Sequence, residues 1–529
     1  MTNTIRDVID ADLIFVTGSN TTEAHPVIGA KIRQAHKRGA KIIVADPRRI
    51  ALVDNAELFL QIKPGTNIAL YNAMLNVIIE EGLLAEDYIK ERTENFDSIK
   101  ELVKEYTPEK AAEICGVNAD DIRKAASMYA KADKAGIFYS MGVAQFVTGT
   151  KGVLSISNLA LAAGKIGKDS SGVNPLRGQN NVQGACDMGG LPNVFPGYQR
   201  VDDPVISQKF AQAWGVETLS RKPGLTLTEM FSHFGEGIRL LYIMGENPMI
   251  ADVDVNHCKE QFEKLDFLIV QDIFLTETAE LADIVLPAAS FAEKEGTFTN
   301  TERRVQRVRK AVNSPGSAKP DWMIISEITK RLGYENNFNS PKEIMEEISA
   351  LTPSYGGISH DRLENIEGLH WPCPHKDHPG TPVLHKEQFA RRGGKAIFVE
   401  TRYSAPKETP DEDYPLILST GRLLYHFHTR SMSGKVDGLN KKSGRSIIEI
   451  NPTDAEKIGI SDGEKVKVSS RRGEVLTTAV VSDIVAAGVV FMPFHFADGP
   501  ANALTNPVYD DVSKVPEFKV CACRVEKLQ

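Results

Sequence analysis

One run of the 529-residue chain joins a strong cation to a series of side-chain amides and glycines: NPLRGQNNVQGACDMGG, Asn174 to Gly190. Arg177 stays charged at any working pH and offers a planar fork to a carboxylate or phosphate. The amides of Asn174, Gln179, Asn180, Asn181 and Gln183 read polar heterocycles as both donors and acceptors. Gly178, Gly184, Gly189 and Gly190 let backbone approach a ligand closely. Such a run suits a flat, polar, anionic partner. On composition alone, a Gly/Asn-rich surface loop fits it equally well.

A site of this kind needs elements to hold it, and the apolar patterning supplies them. Leu13 to Thr17 and Lys41 to Ala45 are short β-branched runs, and Leu58 to Ile62 is a third. Helical patterns follow over Pro26 to Arg38 and from Gly65-Thr66-Asn67 to Glu81. Alternation of this type predicts a parallel sheet covered on both faces, with ligands at the carboxyl ends of its strands. Asn20, Glu23, Asp46, Arg48, Gly65 and Asn67 stand at those ends. The loop after the first strand is not GxGxxG, so no NAD fingerprint is read there.

The pattern recurs: LLYIMGENP (Leu240 to Pro248), LIVQD (Leu268 to Asp272) and AELADIVLP (Ala279 to Pro287) echo the first three strands and their ends. Duplication suggests two facing nucleotide sites, although α/β units resemble one another at this level. Ala135 to Tyr139 reads as a further strand, and Gly152 to Ala163 as the helix leading to the Arg177 run. From Tyr414 onward, short alternating strands predict a compact β-barrel. The expected fold is α/β: two doubly wound nucleotide-binding-type domains, at 1–170 and 171–335, then an irregular connection at 336–410 and a β-barrel at 411–529.

The composition narrows the function classes. A net charge of -8 with no long basic run argues against a nucleic-acid partner. Six scattered cysteines form no disulfide framework and suggest reduced thiols in a cytoplasmic setting. CPHKDH, Cys373 to His378, has ligand-type residues but no second half-site for zinc. No apolar run reaches the ~18 residues of a membrane helix, so no membrane segment is expected.

The motifs together, NPLRGQNNVQGACDMGG with LPNVFPGYQ, YIMGENP, EGTFTNTERRVQ, LSTGRLLYHFHTRSMSG and ANALTNP, resemble the molybdopterin-dependent oxidoreductases, and within them the formate dehydrogenase catalytic (alpha) subunits. The resemblance covers essentially the whole chain. It implies a bis-molybdopterin guanine dinucleotide cofactor carrying Mo or W, one dinucleotide per nucleotide-type domain, and a C-terminal barrel of the double-psi type. It implies formate oxidation to CO2, or the reverse, by hydride transfer at that centre, with Arg177 positioning formate. Carried over residue by residue, it puts Met141, Gly142, Gln145, Gly178 and Gln179 at the pterin, and Asn20, Glu23, Asp46, Arg48 and Gly65 at one dinucleotide. Gly245, Asn247, Gln271 and Asp321 match the other dinucleotide, and the Asp321 carboxylate suits the two N–H donors of a guanine edge. Arg422, His426, Asn502 and Lys519 would add donors from the barrel.

In the family, a four-iron four-sulfur cluster domain and a selenocysteine or cysteine metal ligand precede the position of Met1. No metal ligand is therefore assigned here, the chain alone is expected to be inactive, and the reading frame is expected to extend upstream through an in-frame UGA. Expected partners are formate/CO2 and electron-transfer subunits of iron-sulfur, flavin or hydrogenase type. The alternatives are a nitrate-type relative and a metal-free structural relative such as the large iron-sulfur subunit of respiratory complex I.

Overall fold

The computed structural model describes residues 1–253 and 255–528, and the chain divides into two compact units. Unit 1 comprises Met1–Leu176, Pro248–Cys258 and Val383–Gln529, and unit 2 comprises Arg177–Asn247 and Lys259–Pro382.

In unit 1, β1 (Leu13–Thr17), β2 (Lys41–Ala45), β3 (Leu58–Leu60), β4 (Ala135–Tyr139) and β5 (Gly172–Pro175) form a parallel sheet in the order β3-β2-β1-β4-β5. Alternate residues of β1 enter different cores. Leu13 and Phe15 pack with α2 (Asn67–Glu80) and α3 (Gly149–Ala162), whereas Ile14 and Val16 pack with α1 (Pro26–Lys37). Burial on both faces is why these strands read as continuous apolar runs. The strand order reverses at β1, so the loops after β1 and β4 leave a crevice at the carboxyl end of the sheet.

Unit 2 is built on a second parallel sheet of β6 (Leu240–Met244), β7 (Phe267–Asp272) and β8 (Ile284–Pro287), in the order β8-β7-β6. A hairpin of β9 (Gly296–Thr299) and β10 (Arg304–Val308) follows. The Arg177 run contributes α4 (Val182–Asp187), and α5 (Asp321–Arg331) begins at the aspartate singled out in the sequence.

The segment expected to be an irregular connection is neither uniformly irregular nor a single connection. It contains α6 (Pro341–Leu351), whose start is fixed by the Ser340 hydroxyl accepting from the Glu343 N–H and by Pro341 in the first turn. From Val383 it belongs to unit 1, where Asn72 Nδ2 donates to the Thr401 carbonyl and Asn158 Nδ2 to the Val399 carbonyl, both at 2.7 Å. Phe398 is buried in the core beneath them. The unit boundaries therefore differ from the expected segment boundaries at 170, 335 and 410.

Unit 1 ends in a closed barrel of β11 (Leu416–Gly421), β12 (Ile447–Ile450), β13 (Lys465–Ser470), β14 (Gly473–Val481), β15 (Val489–Pro493) and β16 (Cys521–Lys527). Its pairing mixes parallel and antiparallel neighbours, and closure leaves no exposed sheet edge. Among the described residues, no helix is long and apolar enough to cross a membrane.

Candidate functional site

In unit 1 the crevice is made by close backbone approach. The Gly142 N–H donates to the Gly18 carbonyl at 3.0 Å. A Cβ on Gly18 would lie 2.5 Å from the Gly142 backbone, and one on Gly142 would lie 2.6 Å from the Gly18 oxygen. Only glycine at both positions lets the ends of β1 and β4 meet. Beyond Gly18, Ser19 Oγ, Asn20 Oδ1, Thr21 Oγ1 and Thr22 Oγ1 are buried polar atoms without a hydrogen-bond partner. Four such atoms in succession are costly unless a ligand satisfies them. Glu23 follows on the same short helix, Thr21–Ala24, and Met141 and Gln145 flank Gly142 on the turn after β4.

At the end of β2, Asp46 accepts from the Arg48 N–H at 3.0 Å and is almost fully buried. Burial pushes its carboxyl up to about 6, against lowering by its bond to Arg48 and by the Arg48 and Lys519 charges. Lys519 donates to the Thr420 carbonyl at 2.6 Å. Burial, with Arg422 and Arg48 nearby, brings its ammonium down to about 7, and Asp46 opposes that shift. Arg422 lies against the rings of Phe427 and Phe494, and burial lowers its pKa as well. Both cations are partly withdrawn from water, a disposition that an anionic ligand would complement. Gly65 packs beside Pro406 and Val520, next to Lys519.

Three further expected site residues of unit 1 have protein partners. Arg48 Nε and Nη2 bond the Glu449 carboxylate at 3.0 and 2.8 Å, and the guanidinium stacks 3.8 Å from the Phe491 ring centroid. His426 bonds Ser433 Oγ at 3.1 Å through Nδ1 and the Ser443 carbonyl through Nε2, holding its own loop together. Asn502 Nδ2 donates to the carbonyls of Ile250 and Ala251 at 3.0 and 2.9 Å, while its Oδ1 is buried without a partner.

In unit 2, Gln271 at the end of β7 is fully buried and links two predicted residues. Its backbone carbonyl accepts from the Gly245 N–H at 2.9 Å, and its Nε2 donates to Asp321 Oδ1 at 2.7 Å. Its Oε1 accepts from the Tyr242 hydroxyl, and Asp321 Oδ2 is paired with Lys294. Asn247 Nδ2 donates to Glu277 at 2.7 Å, and its Oδ1 accepts from the Thr278 hydroxyl at 2.7 Å. Gly245 has φ +68, and a Cβ there would meet nothing within 4 Å, so backbone conformation rather than crowding calls for glycine.

Arg177 opens unit 2 and its side chain is exposed. Its N–H donates to Thr301 Oγ1 at 3.0 Å, and its Nε donates to Gln183 Oε1 at 3.3 Å. Gly178 and Gln179 continue the same turn into α4, half-buried. Ser19, Thr21, Thr22, Lys294 and Glu449 join these clusters with no pattern in the sequence to mark that role. The same holds for Asp187, Tyr198 and Tyr355, which lie behind Gln183. The cysteine of CPHKDH is buried against Arg362 and the His378 carbonyl. Among the described residues, no group of three or more His, Cys, Asp or Glu side chains is placed to hold a metal.

A family model described as molybdopterin oxidoreductase matches residues 1–331. The chain belongs to that family. A second model, the molydopterin dinucleotide binding domain, matches residues 416–522. Among relatives of this molybdopterin oxidoreductase, the F420-dependent formate dehydrogenase subunit alpha of Methanocaldococcus jannaschii is 51% identical over 530 residues, covering 100% of this chain and 78% of that protein. Formate dehydrogenase H of Escherichia coli is 42% identical over 532 residues, covering 100% of this chain and 74% of that protein. Acetylene hydratase from Pelobacter acetylenicus has a TM-score of 0.78 at 19% identity, covering 99% of this chain and 79% of that chain, which establishes a shared fold.

The residues present fit a molybdopterin cofactor. In unit 1, four unsatisfied hydroxyl and amide oxygens, the Gly18–Gly142 cradle and the half-buried cations Arg422 and Lys519 match a polar anion. In unit 2, the Gln271–Asp321–Lys294 cluster at the end of β7 offers both acceptors and a cation.

Proposed function

We propose that this molybdopterin oxidoreductase is the catalytic chain of a formate dehydrogenase, oxidising formate to CO2 or reducing CO2. In this reading it holds Mo or W through two pyranopterin guanine dinucleotides, one in each unit. The observation that carries the reading is Arg177: an exposed guanidinium anchored at Nε by Gln183, within an otherwise amide- and glycine-rich run. The names of the relatives at 42–51% identity support the same substrate.

The metal centre, when bound, supplies the two-electron acceptor. The protein's own part is binding and orientation. Formate is a planar monoanion, and a guanidinium fork matches its two oxygens while fixing the direction of the C–H bond. The fixed positive charge also favours binding of the monoanion over neutral competitors. Lys519 and Arg422 neutralise the unit 1 dinucleotide, with Ser19, Asn20, Thr21 and Thr22 donating to or accepting from it, and Met141, Gly142, Gln145, Gly178 and Gln179 lining the pterins. Gly245, Asn247, Gln271 and Asp321 hold the unit 2 dinucleotide. Asp321 accepts from the guanine edge with the lone pairs left after its bonds to Gln271 and Lys294. Partner subunits carry the electrons away, in keeping with the designation of the Methanocaldococcus relative as a subunit alpha.

Cofactor content tests the reading. Acid hydrolysis of the full-length enzyme should release two guanine nucleotides per chain, with one Mo or W retained beforehand. Absence of both would make the chain a metal-free structural relative.

A further inference from the structure

Behind Arg177 lies a polar chain in unit 2, buried at Gln183, Asp187 and Tyr355, that no step described above uses. The Gln183 amide accepts from Arg177 Nε through Oε1 and donates through Nε2 to Asp187 Oδ1 at 2.8 Å. Asp187 is fully buried, and its carboxylate also accepts from the hydroxyls of Tyr198 at 2.7 Å and Tyr355 at 2.6 Å. Tyr198 Oη in turn accepts from Gln183 Nε2 at 3.0 Å, which closes the ring. Asn181 Oδ1 accepts from the Thr299 N–H at 2.8 Å, so the turn before α4 is stitched to β9.

The polarity of this chain follows from one group. The Asp187 oxygens are placed as acceptors throughout, so every group facing them presents a donor. Both tyrosines do so, and so does the NH2 end of Gln183. With its NH2 end committed, the Gln183 amide has its oxygen toward Arg177. A neutral amide at position 187 would bring its own NH2 against those donors and remove the bias. Gln183 could then turn its NH2 toward the guanidinium, where two donors repel.

We infer that Asp187 is a positioning residue for Arg177: by fixing the orientation of the Gln183 amide, it sets the angle at which the guanidinium meets the substrate carboxylate. The inference rests on the reading of Arg177 as the formate-binding group. A buried carboxylate joining α4 to Tyr198 and to the distant Tyr355 is costly to place unless its bonds are all made, and here its bonds lead to the one cation of the run.

The test uses the full-length enzyme with its cofactor and compares D187N, Q183M, the double variant and R177K. Formate kcat and KM are measured separately, together with the thermal shift produced by azide, a triatomic monoanion without a C–H bond. D187N and Q183M should each raise the formate KM roughly ten- to a hundredfold and shrink the azide shift, the range seen when an outer partner of a functional group is lost. Metal and guanine nucleotide content should stay at the wild-type level. The double variant should be no worse than the poorer single one, because both act along one path. Multiplying effects, or an unchanged KM in Q183M while R177K is impaired, would overturn the inference alone. An unimpaired R177K would overturn the reading of Arg177 and the inference with it. Should D187N lose its cofactor, Q183M and Y198F decide: both raising KM with cofactor retained supports the proposal, and neither doing so refutes it.

Discussion

Replacing Arg177 with lysine in the full-length enzyme should lower formate kcat/KM roughly 100-fold, the cost of losing the near-attack orientation of a bound reactant. Lysine keeps the charge but not the fork, so it can meet one formate oxygen while losing the orientation set by two. It also has no Nε–H group at the stem, so the bond to Gln183 Oε1 at 3.3 Å disappears as well. Cofactor should be retained, since none of the cofactor contacts assigned to unit 1 involves this side chain. Steady-state kinetics with a viologen acceptor, alongside metal analysis, checks both parts. A variant with kcat/KM near the wild-type value would remove Arg177 from the mechanism.

The second large effect concerns stability. Arg48 and Glu449 form an ion pair at 2.8 Å with side chains only 12% and 8% exposed. Burial already pushes the Glu449 carboxyl up, and Arg48 is the charge that opposes this. Arg48→Met in the cofactor-free chain should cost about 3–5 kcal/mol, because Glu449 would be left as a buried charge without its partner. The lost stacking on Phe491 adds to the cost. Replacing both residues, Arg48→Met with Glu449→Leu, should recover most of the loss, since two apolar groups leave nothing unpaired. Thermal melts of the three proteins read this directly. A single Met variant as stable as the wild type would show that the pair is solvated and unimportant.

The elements were legible in the sequence because their burial pattern is. LIFVT, KIIVA and AGIFY are continuous apolar runs since both faces of the sheet are covered, and the glycine at the end of β1 marks the crevice. Arg177 was legible for a similar reason, as a fork-bearing cation in a run of amides. The support behind it was not. Tyr355 reaches Asp187 across 168 positions and Glu449 reaches Arg48 across 401, and no periodicity encodes pairings of that range. Arg48, expected at a dinucleotide, commits two donors of its guanidinium to the protein for the same reason. α6 was a different kind of omission. Ser340-Pro341-Lys342-Glu343 carries the cap, first-turn proline and third-position glutamate of a helix start, and the surrounding Pro- and His-rich composition obscured it.

On the proposed function, this molybdopterin oxidoreductase acts on formate. Full-length enzyme, assayed anaerobically with a viologen dye, should reduce the oxidised dye when given formate, releasing one CO2 for every two electrons, and should not oxidise the reduced dye when given nitrate. Nitrate-dependent oxidation of the dye without formate-dependent reduction would make the protein a nitrate-type enzyme and exclude formate as its substrate.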